Sequence, residues 1–231
     1  PPDMTATTTR AADGAGPATG ETESRAEPVF TSPWTLRERV LRQLWSIVQG
    51  TVFRFSLYNA FRWRRWLLRL FGANLAKDVR IRPSARVEIP WNLTIGENSS
   101  VGDFAILYCL GPVRIGRRVT VSQYVHLCAG THETNTRRMR LLRPPIEIGD
   151  EAWIAADVYV GPGVSIGART IVGARSNVYK NLPSDVIAVG SPARAVKDRV
   201  FLSEAQEAAL GDRVAPGNYG AANAREGALG S

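Results

Sequence analysis

Residues 148–178 read IGDEAWIAADVYVGPGVSIGARTIVGARSNV, and an aliphatic residue returns at every sixth position. Between these positions, four places after each, stands a small or β-branched residue. A period of six matches neither an α-helix nor a single β-strand. It is typical of a β-helix, in which three short strands and three tight turns form a coil of about 18 residues. The predicted inward residues are Ile148, Ile154, Val160, Ile166, Val172 and Val178, with Ala152, Val158, Val164, Thr170 and Ser176 between them.

The same rhythm runs earlier in the chain, through Ile95, Val101, Ile115, Val121 and Leu127. Its phase slips by two residues between 107 and 115, and it is interrupted between 131 and 146. A β-sandwich would instead show simple alternation with turn signals every 8 to 12 residues or so. The pattern therefore predicts an all-β domain, a parallel β-helix over residues 79–198, with a loop ejected at about 133–145.

The two ends of the chain have a different composition. Residues 1–30 contain almost no large apolar side chains, and we expect them to be disordered. Residues 31–78 combine aromatic and basic side chains in helical spacing, which predicts an amphipathic helical segment with Thr35 or Ser32 as its cap. This segment could pack on the β-helix or lie on a membrane surface. Residues 199–231 are predicted to be a partly disordered tail with a short capped helix at Ser203.

Charge and cysteine content restrict the partners and the compartment. The net charge of +8 suits nucleic acid, a membrane surface or a phosphorylated cofactor, and no nucleic-acid motif favours the first. Two cysteines make no disulfide framework, which indicates a reducing, cytoplasmic setting. We find no signal-peptide pattern and no run of 18 apolar residues, so we expect no membrane-spanning helix.

Four stretches carry a family resemblance: Pro90 to Leu93, Ser122 to His132, Ile148 to Ala156, and Val189 to Arg194. With them, the chain resembles the hexapeptide-repeat acyltransferases, in particular the branch of colanic-acid, nodulation, galactoside and maltose O-acetyltransferases. The resemblance implies a left-handed β-helix, acetyl-CoA as the acyl donor, and a sugar hydroxyl as the acceptor, with a polysaccharide precursor favoured. It also implies a homotrimer whose active sites lie between subunits.

The resemblance makes His132 the catalytic base. Its predicted position also fits, because it follows the small inward slot of Thr131 and borders the ejected loop, where a cleft can form. Histidine is the side chain best suited to accept a proton near neutral pH. Glu133 or Asp103 would orient its ring, and Asp103 with Tyr108 would contact the acceptor. His126 is interpreted as structural, or at most as lining the site.

The remaining site residues are also implied by the resemblance. The backbone N–H of Ala156 would stabilise the oxyanion, and Trp153 would pack on the pantetheine arm or on a neighbouring subunit. Basic residues would bind the coenzyme A phosphates, and two further residues would form the wall of the groove. Apart from the resemblance, four loop arginines would close over the acceptor, meet a neighbouring subunit or lie on a solvated loop. The residues expected to bind the phosphates are Lys180, Arg194 and Lys197, and those expected to form the wall are Ala174 and Tyr179. The loop arginines are Arg137, Arg138, Arg140 and Arg143.

Two other functions fit the same fold. A zinc enzyme of the γ-carbonic-anhydrase type would use three histidines, and this chain has two, so we expect no metal. A non-enzymatic trimeric scaffold at a membrane is suggested by the basic, aromatic residues 33–71.

Overall fold

The structure, a computed structural model, describes residues 33–203 and residue 206. The tail predicted over residues 1–30 lies outside the described residues, as does most of the segment from 199 to 231. At Ser203, the hydroxyl accepts a hydrogen bond from the backbone N–H of Gln206, which is one part of the predicted cap.

Three parallel sheets form the walls of a β-helix, as predicted. Sheet A contains β1 (Asn74–Leu75), β4 (Leu93–Ile95), β7 (Val113–Ile115), β12 (Ile146–Ile148) and β15 (Ser165–Ile166). Sheet B contains β2 (Arg80–Ile81), β5 (Ser100–Val101), β8 (Thr120–Val121), β13 (Trp153–Ile154), β16 (Ile171–Val172), β18 (Val186–Gly190) and the antiparallel β19 (Ala193–Asp198). Sheet C contains β3 (Arg86–Val87), β6 (Ile106–Tyr108), β9 (His126–Cys128), β14 (Tyr159–Val160) and β17 (Asn177–Val178). The first coil thus begins at Asn74, a few residues before the expected boundary at 79.

The strand register explains the rhythm of the sequence. In the C-terminal coils, Ile148 pairs with Ile166 and Val160 with Val178, so one coil takes 18 residues. In the N-terminal coils, Val101 pairs with Val121, so one coil takes 20 residues. The two extra residues lie in the corner between sheets C and A, where the sequence phase slips. All eleven predicted inward residues between 148 and 178 are buried.

Corners of the coils repeat one backbone conformation. Arg118, Tyr124, Glu151 and Asp157 all have φ between +53° and +60°, which side chains disfavour. Each N–H at these positions donates to a carbonyl of the preceding coil, for example Tyr124 to Asp103 and Asp157 to Gln123. Stacking therefore offsets the local strain, and an isolated coil would lack this support.

A helical cap covers the N-terminal end of the β-helix. Helix α1 (Leu36–Val48) begins with a capping box between Thr35 and Glu38, and a π-helical turn (Gln49–Phe53) continues it. Helix α2 (Phe61–Leu70) follows. The inner side of the cap buries four large apolar side chains: Trp45, Phe53, Leu67 and Leu68. No helix within the described residues has both the length and the apolarity that a transmembrane span requires.

The cap also supplies donors to the exposed edge of all three sheets. Arg69 donates to the carbonyl of Leu75 in β1, Arg64 to that of Ile81 in β2, and Trp45 to that of Val87 in β3, with N···O distances of 2.6–2.7 Å. An open strand edge would otherwise present unpaired backbone groups. Residues 33–71 therefore pack on the β-helix, and several of their arginines bind backbone rather than an anionic partner.

Candidate functional site

His132 lies on a short hairpin that leaves the corner between sheets C and A. The hairpin pairs β10 (Thr131–His132) with β11 (Leu141–Leu142), and residues 133–140 connect them. The ejected loop is present where the sequence predicts it, but Thr131 is half-buried in this hairpin rather than in an inward slot. The His132 side chain is exposed, as expected.

The ring of His132 is held by a backbone carbonyl. Its Nδ1 lies 2.6 Å from the carbonyl oxygen of Met139, across the hairpin. Because a carbonyl only accepts, Nδ1 must carry the hydrogen and donate it. In the neutral ring this leaves a free lone pair on Nε2, which is the atom that can accept a proton.

Neither expected carboxylate is the partner of this ring nitrogen. The Glu133 carboxylate accepts from Arg140 at 2.9 Å and from Thr136 at 3.2 Å, which closes the connecting loop. The hydrogen bond from Arg140 lowers the pKa of Glu133, so the carboxylate stays charged. Asp103 accepts from the Ser84 hydroxyl at 2.5 Å, and its other oxygen lies 3.7 Å from Arg82.

The candidate residues fall at two different corners of the β-helix. His132, Tyr179 and Lys180 follow strands of sheet C and lie at the C-to-A corner, which Tyr108 approaches from the end of β6. Asp103, Ala156 and Ala174 lie at the B-to-C corner. The width of sheet C, roughly 15 Å for five extended residues, separates the two corners. One chain by itself therefore does not bring the proposed base and the proposed oxyanion donor together.

Ala156 presents an available backbone donor at its corner. Its carbonyl accepts from Arg175 of the next coil, whereas its N–H has no hydrogen-bond acceptor among residues 33–203. The side chain is half-buried and small, so it does not obstruct approach to this N–H. A fixed donor of this kind is suited to a developing oxyanion.

A row of outward side chains crosses sheet B from Trp153 to the last strand. The register places Trp153 beside Ile171, Ile171 beside Ile187, and Ile187 beside Lys197. Trp153 is 47% exposed, and its indole N–H donates to Ser122 at 3.0 Å. An apolar strip that ends in an ammonium group suits a ligand with an apolar arm and a phosphate. The sequence analysis missed both isoleucines, although their outward slots lie one coil (Ile171) and two coils (Ile187) after Trp153.

The chain is similar to known acetyltransferases in sequence and in structure. Residues 145–180 match the family model for the bacterial transferase hexapeptide with six repeats. The putative colanic acid biosynthesis acetyltransferase WcaF of Escherichia coli K12 is 47% identical over 158 residues, which cover 68% of this chain and 87% of WcaF. The chain belongs to the hexapeptide-repeat acetyltransferase family.

Two solved acetyltransferases are similar to this chain over about three quarters of its length. A hexapeptide-repeat acetyltransferase from Vibrio cholerae, solved with acetyl-coenzyme A, is 26% identical with a TM-score of 0.66, covering 74% of this chain and 93% of that chain. A maltose O-acetyltransferase from Clostridium difficile is 25% identical with a TM-score of 0.65, covering 72% and 90%. These findings favour the acetyltransferase over the zinc-enzyme alternative. Among the described residues, no group of three or more His, Cys, Asp or Glu could hold a metal ion.

This acetyltransferase carries an aromatic face on sheet C, beside the corner of His132. The His126 ring meets Tyr108 and Tyr159 edge-on, with ring centres 6.3 and 5.5 Å apart, and Tyr159 meets Tyr179 at 5.8 Å. Burial lowers the pKa of His126, whose Nε2 is buried without a hydrogen-bond partner in the described part of the chain. Burial and a hydrogen bond with Cys128 raise the pKa of Tyr159 to about 12. The sequence analysis missed Tyr159 and Cys128, although both occupy outward slots next to recognised motifs.

The loop arginines of the acetyltransferase have separate roles. Arg140 binds Glu133, and Arg143 binds the N-terminal segment through the carbonyl of Pro33 at 3.0 Å. Arg137 and Arg138 are exposed at the far end of the loop. Arg194 and Lys197 are exposed on β19. Among the four loop arginines, the structure thus describes contacts within the chain for Arg140 and Arg143, while Arg194 donates to the carbonyl of its neighbour Ala193 at 2.9 Å.

Proposed function

We propose that the protein transfers an acetyl group from acetyl-CoA to a hydroxyl group of a saccharide, with His132 as the general base. The observation that carries this proposal is the hydrogen bond from His132 Nδ1 to Met139, which leaves Nε2 as a proton acceptor on an exposed edge. The relatives support the reaction class, since they are named as acetyltransferases of colanic acid biosynthesis and of galactosides. The Vibrio cholerae relative was solved with the proposed donor.

The residues divide the chemistry between them. Nε2 of His132 takes the proton of the acceptor hydroxyl as its oxygen attacks the thioester carbonyl. The N–H of Ala156 stabilises the tetrahedral oxyanion that results. When the intermediate collapses, the carbon–sulfur bond breaks and the imidazolium returns the proton to the coenzyme A thiolate. The row from Trp153 to Lys197 holds the pantetheine arm, while Lys180 and Arg194 attract the phosphates.

The active site is completed between chains of a homotrimer. The separation of His132 and Ala156 by the width of sheet C supports this arrangement, because the two groups must approach the same carbonyl carbon. A neighbouring chain that packs its B-to-C corner against the C-to-A corner of the first would bring them together. The same contact would set the aromatic face of sheet C beside the shared site, and Asp103 of the neighbouring chain would enter that site.

The acceptor proposed here is a sugar unit of a polysaccharide precursor. The aromatic face beside His132, which includes Tyr108 and Tyr179, offers flat apolar surfaces of the kind that stack on sugar rings. Arg137 and Arg138 at the tip of the loop would favour an acidic or nucleotide-linked sugar.

The test of this function is a transfer assay with the purified protein. Thiol release from acetyl-CoA is followed in the presence of neutral and acidic saccharides, and the product is identified by mass spectrometry. We expect release that depends on the acceptor, together with a product that is one acetyl group heavier. Acceptor-independent thiol release, or none with any saccharide, would contradict the proposal. Sedimentation should give a mass three times that of one chain.

We further propose that the protein is cytoplasmic and reaches a membrane surface through the outer side of the cap. The segment 36–70 holds eight arginines against a single acidic residue, so it carries +7 of the net charge of +8. Its outer side is nevertheless rich in exposed apolar groups, and Phe55 and Leu36 are 83% and 69% exposed. Trp63 links the two helices, because its indole N–H donates to the carbonyl of Val52 at 3.1 Å. The other members of this outer apolar face are Val40, Leu44, Ile47, Trp66 and Leu70.

An anionic bilayer fits this surface better than a second copy of the chain. Two like-charged caps would repel each other, whereas anionic headgroups attract the exposed Arg37, Arg39 and Arg62 around the apolar side chains. Tryptophan and arginine beside an apolar helix face are typical of interfacial helices.

A flotation experiment tests the membrane proposal. We expect the protein to float with vesicles that contain phosphatidylglycerol, less with phosphatidylcholine alone, and less at high salt. The double change Ile47→Ser and Phe55→Ser should reduce binding by on the order of tenfold or more, since each side chain contributes apolar area to the contact. Val196→Ser on β19 is the control, because it removes an apolar group outside the cap whose exposure, 58%, is close to the 63% of Ile47. Equal recovery of wild type and double variant would contradict the proposal.

A further inference from the structure

Pro33 and Trp34, at the start of the described N-terminal segment, contact the residue that follows the hairpin of His132. The guanidinium carbon of Arg143 lies 3.7 Å from the centre of the Trp34 ring, and that of Arg42 lies 4.4 Å from it. Arg143 also donates to the carbonyl of Pro33 at 3.0 Å. Arg42 also forms an ion pair with Glu88 at 2.8 Å. The carboxylate partly neutralises the charge of Arg42, which lies near the guanidinium of Arg143. The indole is therefore held by one cation from α1 and one from the hairpin.

Arg143 stands at the base of the hairpin. It follows β11 directly, and β11 pairs with β10 through only two residue pairs, Thr131 with Leu142 and His132 with Leu141. The backbone of Arg143 and Pro144 packs closely on Gly111. A Cβ atom added to Gly111 would lie within 3 Å of that backbone. The side chain of Arg143 thus anchors the C-terminal strand of the hairpin to the cap, while its backbone anchors that strand to the corner.

The position of this strand bears directly on the base. The connection 133–140 is exposed or half-buried throughout. Within it, Met139 supplies the carbonyl that holds His132 Nδ1, and Arg140 supplies the carbonyl that accepts from the Glu133 N–H at 2.9 Å. If β11 shifts, the Met139 carbonyl shifts with it, and the tautomer and direction of the imidazole are no longer set.

We propose that Trp34 and Arg143 form a clamp through which the N-terminal cap positions the hairpin of His132. They are positioning residues, since they act on the base through β11 and the Met139 carbonyl. This role rests on the proposed function of His132. It also assigns Arg143 a task different from the acceptor or subunit contact that the sequence suggests for the loop arginines.

The test compares Trp34→Ala with Trp34→Phe and with Phe201→Ala as the matched control. Phe201 is an exposed aromatic residue of the same kind, 49% exposed, with the guanidinium carbon of Arg199 4.7 Å from its ring centre. We expect Trp34→Ala to lower kcat about tenfold while the KM for acetyl-CoA changes less than twofold, because the donor groove is untouched. Trp34→Phe, which keeps a ring for the two guanidinium groups, should restore most of the activity, and Phe201→Ala should match wild type. Arg143→Lys should give an intermediate loss, because an ammonium lacks the planar fork that reaches both the ring and Pro33.

Hydrogen exchange provides a readout that does not depend on catalysis. In Trp34→Ala, amides of residues 131–142 should exchange at least tenfold faster, whereas amides in β13 and β16 should exchange as in wild type. Unchanged kcat and unchanged hairpin exchange would overturn the clamp, as would faster exchange of the whole β-helix, which would indicate a loss of stability alone. Failure of the base assignment is distinguishable, since it would appear as retained activity in a His132 variant, whatever the exchange of the hairpin.

Discussion

We expect the His132→Ala variant to lose activity by about 100-fold or more in kcat, with a KM for acetyl-CoA close to that of wild type. The reason is that alanine removes the proton acceptor but leaves the outward row on sheet B, which binds the donor. The hairpin should keep its shape, because the pairing of β10 with β11 uses backbone groups. Steady-state rates of thiol release at saturating acetyl-CoA measure this effect.

Two further variants separate the base from its surroundings. Glu133→Gln should cost much less than His132→Ala, since the carboxylate binds Arg140 and Thr136 while a carbonyl holds the ring. A mixture of His132→Ala chains with chains inactivated at Trp153 should regain part of the activity after subunit exchange, since some sites would then combine two intact halves. A His132→Ala enzyme with wild-type kcat would refute the base assignment, and the absence of any regain would argue against sites shared between chains.

The largest effect on stability is expected from Arg64→Ala. Arg64 is fully buried, and burial is the main cause that lowers its pKa below the ordinary value, with the charge of Arg82 acting in the same direction. Its guanidinium donates to the carbonyls of Ile81, Leu57 and Tyr58 and to the Ser56 hydroxyl, at 2.6–2.8 Å. Alanine leaves the buried carbonyl of Ile81 and the three partly buried acceptors without this donor, and it opens a cavity under the cap.

We expect this change to destabilise the protein by about 3 kcal/mol or more, and so to lower the midpoint of thermal unfolding by about 6 °C or more. Arg62→Ala is the matched control, since Arg62 lies on the same helix and is exposed, and its removal should change the stability by about 0.5 kcal/mol or less. Scans of both variants at one protein concentration give the comparison. A midpoint for Arg64→Ala within a degree or so of that of Arg62→Ala would show that the buried hydrogen bonds contribute little.

The candidate site was predictable in part. The position of His132 at the root of an ejected loop follows from the interruption of the repeat after Thr131, together with the family motif. Its partner was not predictable, because Met139 lies seven residues away and only the folded hairpin brings its carbonyl to Nδ1. Glu133 is adjacent in sequence, yet the pairing with Arg140 directs its carboxylate into the loop. The arginines of the cap were likewise predicted as a basic surface, whereas Arg64 and Arg69 donate to strand edges.

By itself, the sequence determined the β-helix, its core and the place of its interruption. The reason is local: every coil repeats the same short pattern, so the slots of Ile154 and Val172 can be read from spacing and are buried one above the other. Only the tertiary structure decided which corner each site residue occupies and how the cap meets the hairpin. Trp34 and Arg143 are far apart in the chain, and the separation of His132 from Ala156 depends on the width of a sheet. Distances of these kinds arise from stacking and closure of the coils, and a pattern of six residues contains no information about them.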